Sequence, residues 1–230
     1  MSMLVRRAGN AALDLIFPPR CAICGASGAF LCASCADRLT PAAPPRCNRC
    51  WSPGSYGDVC AHCDATPPPF ETLRAAFVYD AVARDLVHGL KYRGLTALAQ
   101  PMASLMRDAP GGGINLVVPV PLAGLRRRTR GYNQAESLAR VLGRDLELRV
   151  EPRALRRTRG APPQARSAGA EARHRNVAGA FTARPELAEG ARVLLIDDVT
   201  TTGATFAACA TALREAGAAS VCCLAFARED

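Results

Sequence analysis

The 230-residue chain is 49% hydrophobic and 21% charged, a composition typical of a globular protein with room for one domain and a small second one. No apolar run approaches the roughly 20 residues that a membrane-spanning helix needs, so we expect no membrane insertion. The net charge of +9 comes from residues 121–180, which hold 14 arginines against 5 acidic residues and point to an anionic ligand.

The first predicted element is a short amphipathic helix that ends at Pro18 and Pro19. Its apolar part is short and is interrupted by Asp14, which disfavours a secretory signal peptide. We therefore expect a cytoplasmic protein.

Eight of the eleven cysteines form four Cys-x-x-Cys pairs, which are Cys21 and Cys24, Cys32 and Cys35, Cys47 and Cys50, and Cys60 and Cys63. Eight thiolates are enough for two tetrahedral structural zinc ions, which would supply folding energy that so short a segment lacks. Disulfides are the alternative, but they need an oxidising compartment. Pairing within each half closes the shorter loops, so it predicts two successive zinc ribbons.

Prolines in residues 66–70 predict a stiff linker between a zinc module at 1–66 and a second domain at 67–230. In the second domain, predicted strands cover 73–79, 114–122, 147–150, 192–197 and 220–227, and predicted helices cover 81–92, 96–108, 133–146 and 203–217. Residues 153–180 are expected to form a long loop or a hairpin. Alternating apolar strands and helices predict an α/β fold with a parallel sheet flanked by helices.

The stretch VLLIDDVTTTGAT, residues 193–205, places two acids between a buried strand and a helix. Gly203 permits a tight turn, and the helix N-terminus and threonine hydroxyls suit a phosphate. The carboxylates would repel that phosphate, so they suit neighbouring hydroxyl groups or a metal ion. A ribose 5-phosphate has this layout. Helix capping alone would explain one acid, but not the pair.

The same thirteen residues resemble the phosphoribosyl-pyrophosphate (PRPP) motif of type I phosphoribosyltransferases. The resemblance implies that Asp197 and Asp198 bind the ribose hydroxyls and are the candidate catalytic residues. It further implies that the 5-phosphate is bound by Thr200, Thr201, Thr202, Gly203, Ala204 and Thr205.

Further stretches extend the resemblance over nearly the whole chain to the ComF (competence protein F-like) family. They are FPPRCAIC, LVHGLKYRG, VVPVPL, RTRGYNQAESLA and EARHRNVAGAF, together with the cysteine pairs. The resemblance places the pyrophosphate loop at Val118, Pro119, Val120 and Pro121. Its two X–Pro bonds lead us to expect an unusual backbone there, with a cis bond as one option.

The basic residues have two functional interpretations. They form either a lid that neutralises the leaving pyrophosphate, or a groove for single-stranded DNA in which Tyr132 is a stacking face. A solvated loop is the third interpretation, which the clustering disfavours. The candidate contacts are Lys91, Arg126, Arg127, Arg128, Arg130, Arg156, Arg157 and Arg173.

The resemblance implies a phosphoribosyltransferase that binds PRPP with magnesium, and whose pyrophosphate is displaced by an unidentified acceptor. Its role would lie in DNA uptake and competence or in nucleotide metabolism. The alternative is a non-catalytic DNA-uptake or recombination accessory that binds single-stranded DNA, senses a nucleotide and works with DNA-uptake proteins. A general base would favour the enzyme, and the sequence identifies none.

Overall fold

The computed structural model describes residues 18–54, 58–92, 94–107, 112–122, 129–158 and 179–230. The strands are β1 (Thr72–Val78), β2 (Leu116–Pro119), β3 (Arg149–Val150), β4 (Leu155–Arg157), β5 (Phe181–Ala183), β6 (Arg192–Thr200) and β7 (Ser220–Arg228). The helices are α1 (Ala33–Ala36), α2 (Ala61–Ala65), α3 (Ala81–Tyr92), α4 (Ala99–Ser104), α5 (Gln134–Asp145), α6 (Pro185–Ala188) and α7 (Ala204–Glu215).

Five strands form one sheet in the order β1-β7-β6-β2-β3, and every neighbouring pair is parallel. One face packs against α3, α4 and α5 through side chains such as Leu86 and Leu138. The other face packs against α7 through Phe206 and Leu213. The predicted parallel sheet with helices on both faces is therefore confirmed.

Several element boundaries differ from the sequence prediction. The predicted strand 114–122 is shortened at both ends to β2, Leu116–Pro119. The predicted strand 192–197 is longer, because β6 keeps pairing with β7 as far as Thr200. The predicted helix 96–108 divides into a 3-10 turn at Thr96–Leu98 and the short α4, which ends at Ser104.

The remaining differences lie around the edge strand β3 and the hairpin. The strand predicted over 147–150 is only two residues long, because Glu147 adopts a left-handed backbone conformation with φ 56°. Strand β4, inside the range 153–180, pairs in an antiparallel ladder with β5, which begins directly after that range, and this favours the hairpin. Residues 159–178 lie outside the described part, as does the predicted N-terminal helix.

The cysteine-rich module packs on the outer edge of the sheet. The Ala42 N–H donates to Ala76 O at 3.0 Å, and the Val78 N–H donates to Thr40 O at 2.9 Å. Leu31 and Leu39 join the hydrophobic core on the α3 side. The module therefore covers strand β1, whose free edge would otherwise expose unpaired backbone groups.

In the described part of the chain, no helix has the length and apolar character needed to cross a membrane. The division at residues 66 and 67 stays a prediction.

Candidate functional site

The candidate site lies where the connections of the sheet diverge. After β2 the chain crosses through α5 to β3, whereas after β6 it crosses through α7 to β7 on the opposite side. The carboxyl ends of β2 and β6 are adjacent, with Pro119 beside Ile196 and the Val120 N–H donating to Ile196 O at 2.9 Å. In open parallel sheets this divergence leaves a crevice that suits a ligand.

The two acids lie inside β6, and alternation along the strand directs their side chains to opposite faces. Leu195 packs on the α7 side and Ile196 on the α3 side, so Asp197 follows the first and Asp198 the second. Asp198 is only 5% exposed, while Asp197 is partly exposed and its Oδ1 accepts the Asp198 N–H at 2.8 Å. Although the two side chains point to opposite faces, both lie near the carboxyl end of β6, and therefore at the same edge of the sheet.

Lys91 neutralises the more buried acid. Its Nζ lies 2.9 Å from Asp198 Oδ2, and the lysine and aspartate side chains are 21% and 8% exposed. Lys91 lies in the last turn of α3, where a lysine ordinarily interacts with the helix carbonyls. The structure instead brings it to the acid pair.

Burial, followed by the charge of Asp198, raises the pKa of Asp197 well above its usual range, and Lys91 opposes this rise. A carboxyl group with a raised pKa binds a cation less readily than a free aspartate does. It still accepts a hydrogen bond from a hydroxyl group, and its acceptor strength increases once it ionises.

The loop after β6 has the geometry expected of an anion cradle. Gly203 has a φ of 79° and caps the 12-residue helix α7, whose N-terminus faces the crevice edge of the sheet. A Cβ at Gly203 would lie 3.4 Å from Leu73 Cδ1, so the left-handed backbone, rather than crowding, requires glycine there. Thr202 Oγ1 accepts the Ala204 N–H at 3.4 Å. Thr200 and Ala204 are buried, whereas Thr201, Thr202 and Thr205 are half-buried.

The predicted pyrophosphate loop begins as part of β2. Val118 and Pro119 are strand residues, and Val120 and Pro121 follow them. The expected cis option is wrong for the bonds before Pro119 and Pro121, since the cis bond found in the described ranges is Pro44–Pro45. A trans chain lets Val120 stay extended and reach Ile196. Asn133 caps α5 and also donates from Nδ2 to Val120 O at 3.0 Å, which ties that helix to the loop.

Besides Lys91, the basic candidates divide into three groups. Arg126, Arg127, Arg128 and Arg173 lie outside the described residues. Arg130 lies 4.5 Å above the Tyr92 ring and donates to Tyr92 Oη at 2.8 Å. Arg156 and Arg157 are exposed on β4, and the Arg157 guanidinium lies 5.3 Å from the Phe181 ring centre.

The side chain of Tyr132, the expected stacking face, is half-buried and donates a hydrogen bond from its hydroxyl to Leu90 O. Tyr92 is 61% exposed, and its ring centre lies 4.8 Å from that of His88. Tyr92 is therefore the more exposed of the two aromatic side chains, with the Arg130 guanidinium over one face of its ring.

The cysteines group as the sequence spacing favours. Cys21, Cys24, Cys32 and Cys35 form one tetrad, Cys47, Cys50, Cys60 and Cys63 form the other, and all sulfurs within each tetrad lie within 4.8 Å of one another. The Cys24–Cys32 and Cys50–Cys60 sulfur pairs are each 3.7 Å apart. Sulfurs around a tetrahedral zinc ion with bonds of about 2.3 Å would lie about 3.8 Å apart, so both donor sets fit structural zinc.

Backbone amides favour the thiolate form of Cys47 in the second tetrad. Cys47 Sγ accepts the N–H groups of Cys50 at 3.5 Å and Cys60 at 3.3 Å. Burial alone would raise the pKa of Cys47, but these hydrogen bonds lower it to about 6. A thiolate at neutral pH is the form that binds zinc.

A partly buried charge cluster, for which the sequence carries no local signal, connects the second tetrad to the candidate site. Arg46 donates to both carboxylate oxygens of Asp230, at 2.8 and 2.6 Å, and Arg228 Nη1 donates to Cys50 O at 2.8 Å. The Glu229 N–H donates to Thr200 O at 2.9 Å. The last residue of β7 and the two residues after it therefore contact both the zinc module and Thr200, where the threonine loop begins.

Comparison with known proteins identifies two families along the chain. Residues 12–64 match the family described as double zinc ribbon domain, and residues 80–230 match the phosphoribosyl transferase domain.

Relatives align over most of the chain. The "DNA utilization protein YhgH" of Escherichia coli (strain K12) is 32% identical, covering 83% of this chain and 87% of that protein. "Competence protein F" of Haemophilus influenzae is 28% identical, with coverages of 81% and 85%, and "Competence protein ComFC" of Bacillus subtilis is 27% identical, with coverages of 83% and 80%.

A solved structure that aligns with the chain is the glutamine PRPP amidotransferase from B. subtilis complexed with ADP and GMP. The alignment has 21% identity and a TM-score of 0.40, and it covers 56% of this chain and 26% of that one.

Proposed function

Since the chain belongs to the phosphoribosyl transferase domain family, and within it to the ComF group with a double zinc ribbon, we propose that it binds PRPP at the carboxyl ends of β2 and β6. One observation carries the proposal most directly. At a crevice of the sheet, a strand bearing two acids leads into a left-handed glycine and the N-terminus of a helix. In this arrangement the two acids can accept hydrogen bonds from a ribose diol, and the glycine turn with the helix N-terminus beyond it can bind a phosphate.

Each part of the site has a distinct task in this proposal. The Thr201, Thr202 and Thr205 hydroxyls and the first amides of α7 bind the 5-phosphate. Asp197 accepts a hydrogen bond from the ribose diol, while Asp198 acts at the same edge with Lys91 beside it. The pyrophosphate lies toward Val120 and Pro121, where the β2–α5 connection begins.

The proposed reaction is displacement of pyrophosphate from the anomeric carbon by an acceptor. Positive charge develops on the ribosyl group as the carbon–oxygen bond breaks, and a carboxylate nearby stabilises it. Magnesium would be held chiefly by the phosphates of PRPP, where it neutralises the leaving group. Carboxylate oxygens at the strand end are suitable donors for it, although the raised pKa of Asp197 weakens that residue as a metal ligand.

The experiment is incubation of the zinc-loaded protein with magnesium, PRPP and a panel of nucleobases, with pyrophosphate release followed over time. Ribose 5-phosphate should compete with PRPP but bind more weakly, since it lacks the pyrophosphate contacts. Release that depends on one acceptor supports a transferase. PRPP binding without release from any acceptor supports a nucleotide sensor, and failure of PRPP to bind refutes the proposal.

A second candidate function is binding of single-stranded DNA, which the names of the relatives and the Tyr92 cluster favour. Tyr92 is exposed, Arg130 lies over its ring, and both border the α3 end that carries Lys91. Stacking of a base on such a ring contributes about 1–3 kcal/mol. Tyr92→Ala should therefore weaken binding of an oligonucleotide by about 5- to 150-fold. The matched control is Phe30→Ala, an exposed aromatic in the zinc module. Equal losses in both variants would exclude Tyr92 as a stacking face.

A further inference from the structure

A second concave surface lies beside the predicted pyrophosphate loop. It is a cleft of about 840 Å³ between the β2–α5 connection and the β4–β5 hairpin, and α6 closes its far side. Pro121 and Asn133 line the near wall, and Leu155 and Leu187 line the far wall. The volume lies in the range of sites that enclose a ligand much larger than inorganic phosphate or a single nucleobase.

The charge of this cleft is unbalanced. Among the described residues, Arg153, Arg156 and Arg184 line it with no carboxylate paired to their guanidiniums, and Arg157 contacts only the Phe181 ring. Unpaired guanidiniums around a concave wall concentrate positive potential toward an anion.

The acidic groups of the cleft do not cancel this charge. Glu136 is paired with Arg140 at 2.7 Å, and Glu151 accepts the Arg153 N–H at 3.2 Å and lies 3.5 Å from Arg149. Glu186 also lines the cleft and is exposed. A positive surplus therefore remains on the wall formed by β4 and α6.

The walls between these charges are partly apolar. Pro121, Leu122, Val150, Leu155 and Leu187 contribute to the lining. Apolar walls with charged groups at the margin suit a ligand that has both a ring and a phosphate. A bare inorganic anion would use the arginines and leave these side chains without a partner.

We propose that this cleft binds a phosphate-bearing nucleotide, either free or within a single strand, beside the ribose of PRPP. The proposal rests on the proposed function for its place next to the ribose site. Pro121 follows Val120, which is hydrogen-bonded to the residue before Asp197, so the two ligands would be neighbours. The nucleotide would place its phosphate against Arg153, Arg156 and Arg184 and its ring against Leu155 and Leu187.

The test measures binding of thymidine, thymidine monophosphate, a short oligothymidylate and inorganic phosphate to zinc-loaded protein by calorimetry. Thymidine monophosphate should bind at least about tenfold more tightly than thymidine, because charge-assisted hydrogen bonds to arginine form only with the nucleotide. If thymidine monophosphate binds as tightly as the oligothymidylate, the ligand is a free nucleotide. If the oligothymidylate binds more tightly, the ligand is a single strand. Inorganic phosphate binding as tightly as the nucleotide would overturn the proposal.

The variant is Arg153→Ala with Arg184→Ala, and its matched control is Arg38→Ala with Arg107→Ala, which removes two exposed arginines elsewhere. We expect nucleotide affinity to fall about 10- to 100-fold in the variant and to stay unchanged in the control. PRPP affinity is measured separately in each protein. A loss of PRPP affinity as large as the nucleotide loss would assign these arginines to the pyrophosphate and overturn the proposal. Absence of PRPP binding to the wild type, with nucleotide binding intact, would instead refute the proposed function.

Discussion

Asp230 is the carboxylate partner of the buried Arg46, and its removal tests how firmly the zinc module is held on the sheet. The Arg46 and Asp230 side chains are 5% and 23% exposed and are joined by two hydrogen bonds. Asp230→Ala leaves the Arg46 guanidinium with only the carbonyl oxygens of Ala43 and Trp51. A charged group that loses its buried partner destabilises a fold by several kcal/mol, and the partial exposure of Asp230 reduces this to about 2–3 kcal/mol.

Thermal denaturation of the zinc-loaded protein is the assay. A loss of that size should lower the melting temperature by about 4–12 °C. The matched control is Asp85→Ala, which removes an exposed carboxylate from α3 and should change the melting temperature little. Equal melting temperatures of the two variants would refute the idea that this ion pair fastens the module.

The same ion pair has a predictable pH dependence. Hydrogen bonds from Arg46 lower the pKa of Asp230 below its usual value of 3.8. The ion pair therefore contributes its full stabilisation of the folded protein at pH values above 3.8, the usual pKa of aspartate. This contribution is lost as the pH falls through the lower pKa that Asp230 has in the folded protein. The difference in stability between wild type and Asp230→Ala should stay constant from about pH 7 to pH 5 and shrink below about pH 4.

Four further predictions address the other parts of the molecule. Elemental analysis should find close to two zinc ions per chain, and chelation should unfold the cysteine module and expose the β1 backbone to hydrogen exchange while the remaining strands stay protected. Gly203→Ala should cost about 1–2 kcal/mol of stability in thermal denaturation, because an L-residue there is held at positive φ. Lys91→Met should destabilise the protein by leaving Asp198 buried without its cation, and Lys91→Arg should restore most of the loss. Binding of single-stranded DNA should weaken steeply with salt, and the slope should flatten after alanine replaces Arg126, Arg127, Arg128 and Arg130.

Features encoded by local spacing could be predicted from the sequence. The cysteine tetrads follow from four Cys-x-x-Cys pairs, and the helix over residues 81–92 follows from its apolar periodicity. The tight turn at the start of α7 could be predicted because Gly203 lies between the threonines and an apolar helical segment. Each of these depends on neighbours within a few residues, which a single sequence displays directly.

Features that depend on distant contacts could not be predicted. The length of β6 is set by its pairing with β7, which carries the strand through both acids. The sequence makes Lys91 a candidate anion contact at a helix end, and its pairing with Asp198 became visible only in the fold. Arg46 and Asp230 are 184 positions apart, and neither lies in a recognisable motif. Docking of the zinc module on β1 therefore became visible only in the structure.

Calorimetric titration of magnesium and PRPP into the zinc-loaded wild type and into folded Asp197→Asn and Asp198→Asn tests the central claim most directly. The wild type should bind PRPP, and each variant should bind it about 10- to 100-fold more weakly, since a charge-assisted hydrogen bond at the ribose edge is lost. Asp85→Asn is the matched control, and melting curves identify any variant that has lost its fold. Unmeasurable binding by the wild type, or PRPP affinity in folded Asp197→Asn and Asp198→Asn equal to that of the wild type, would contradict a ribose-binding role for these acids.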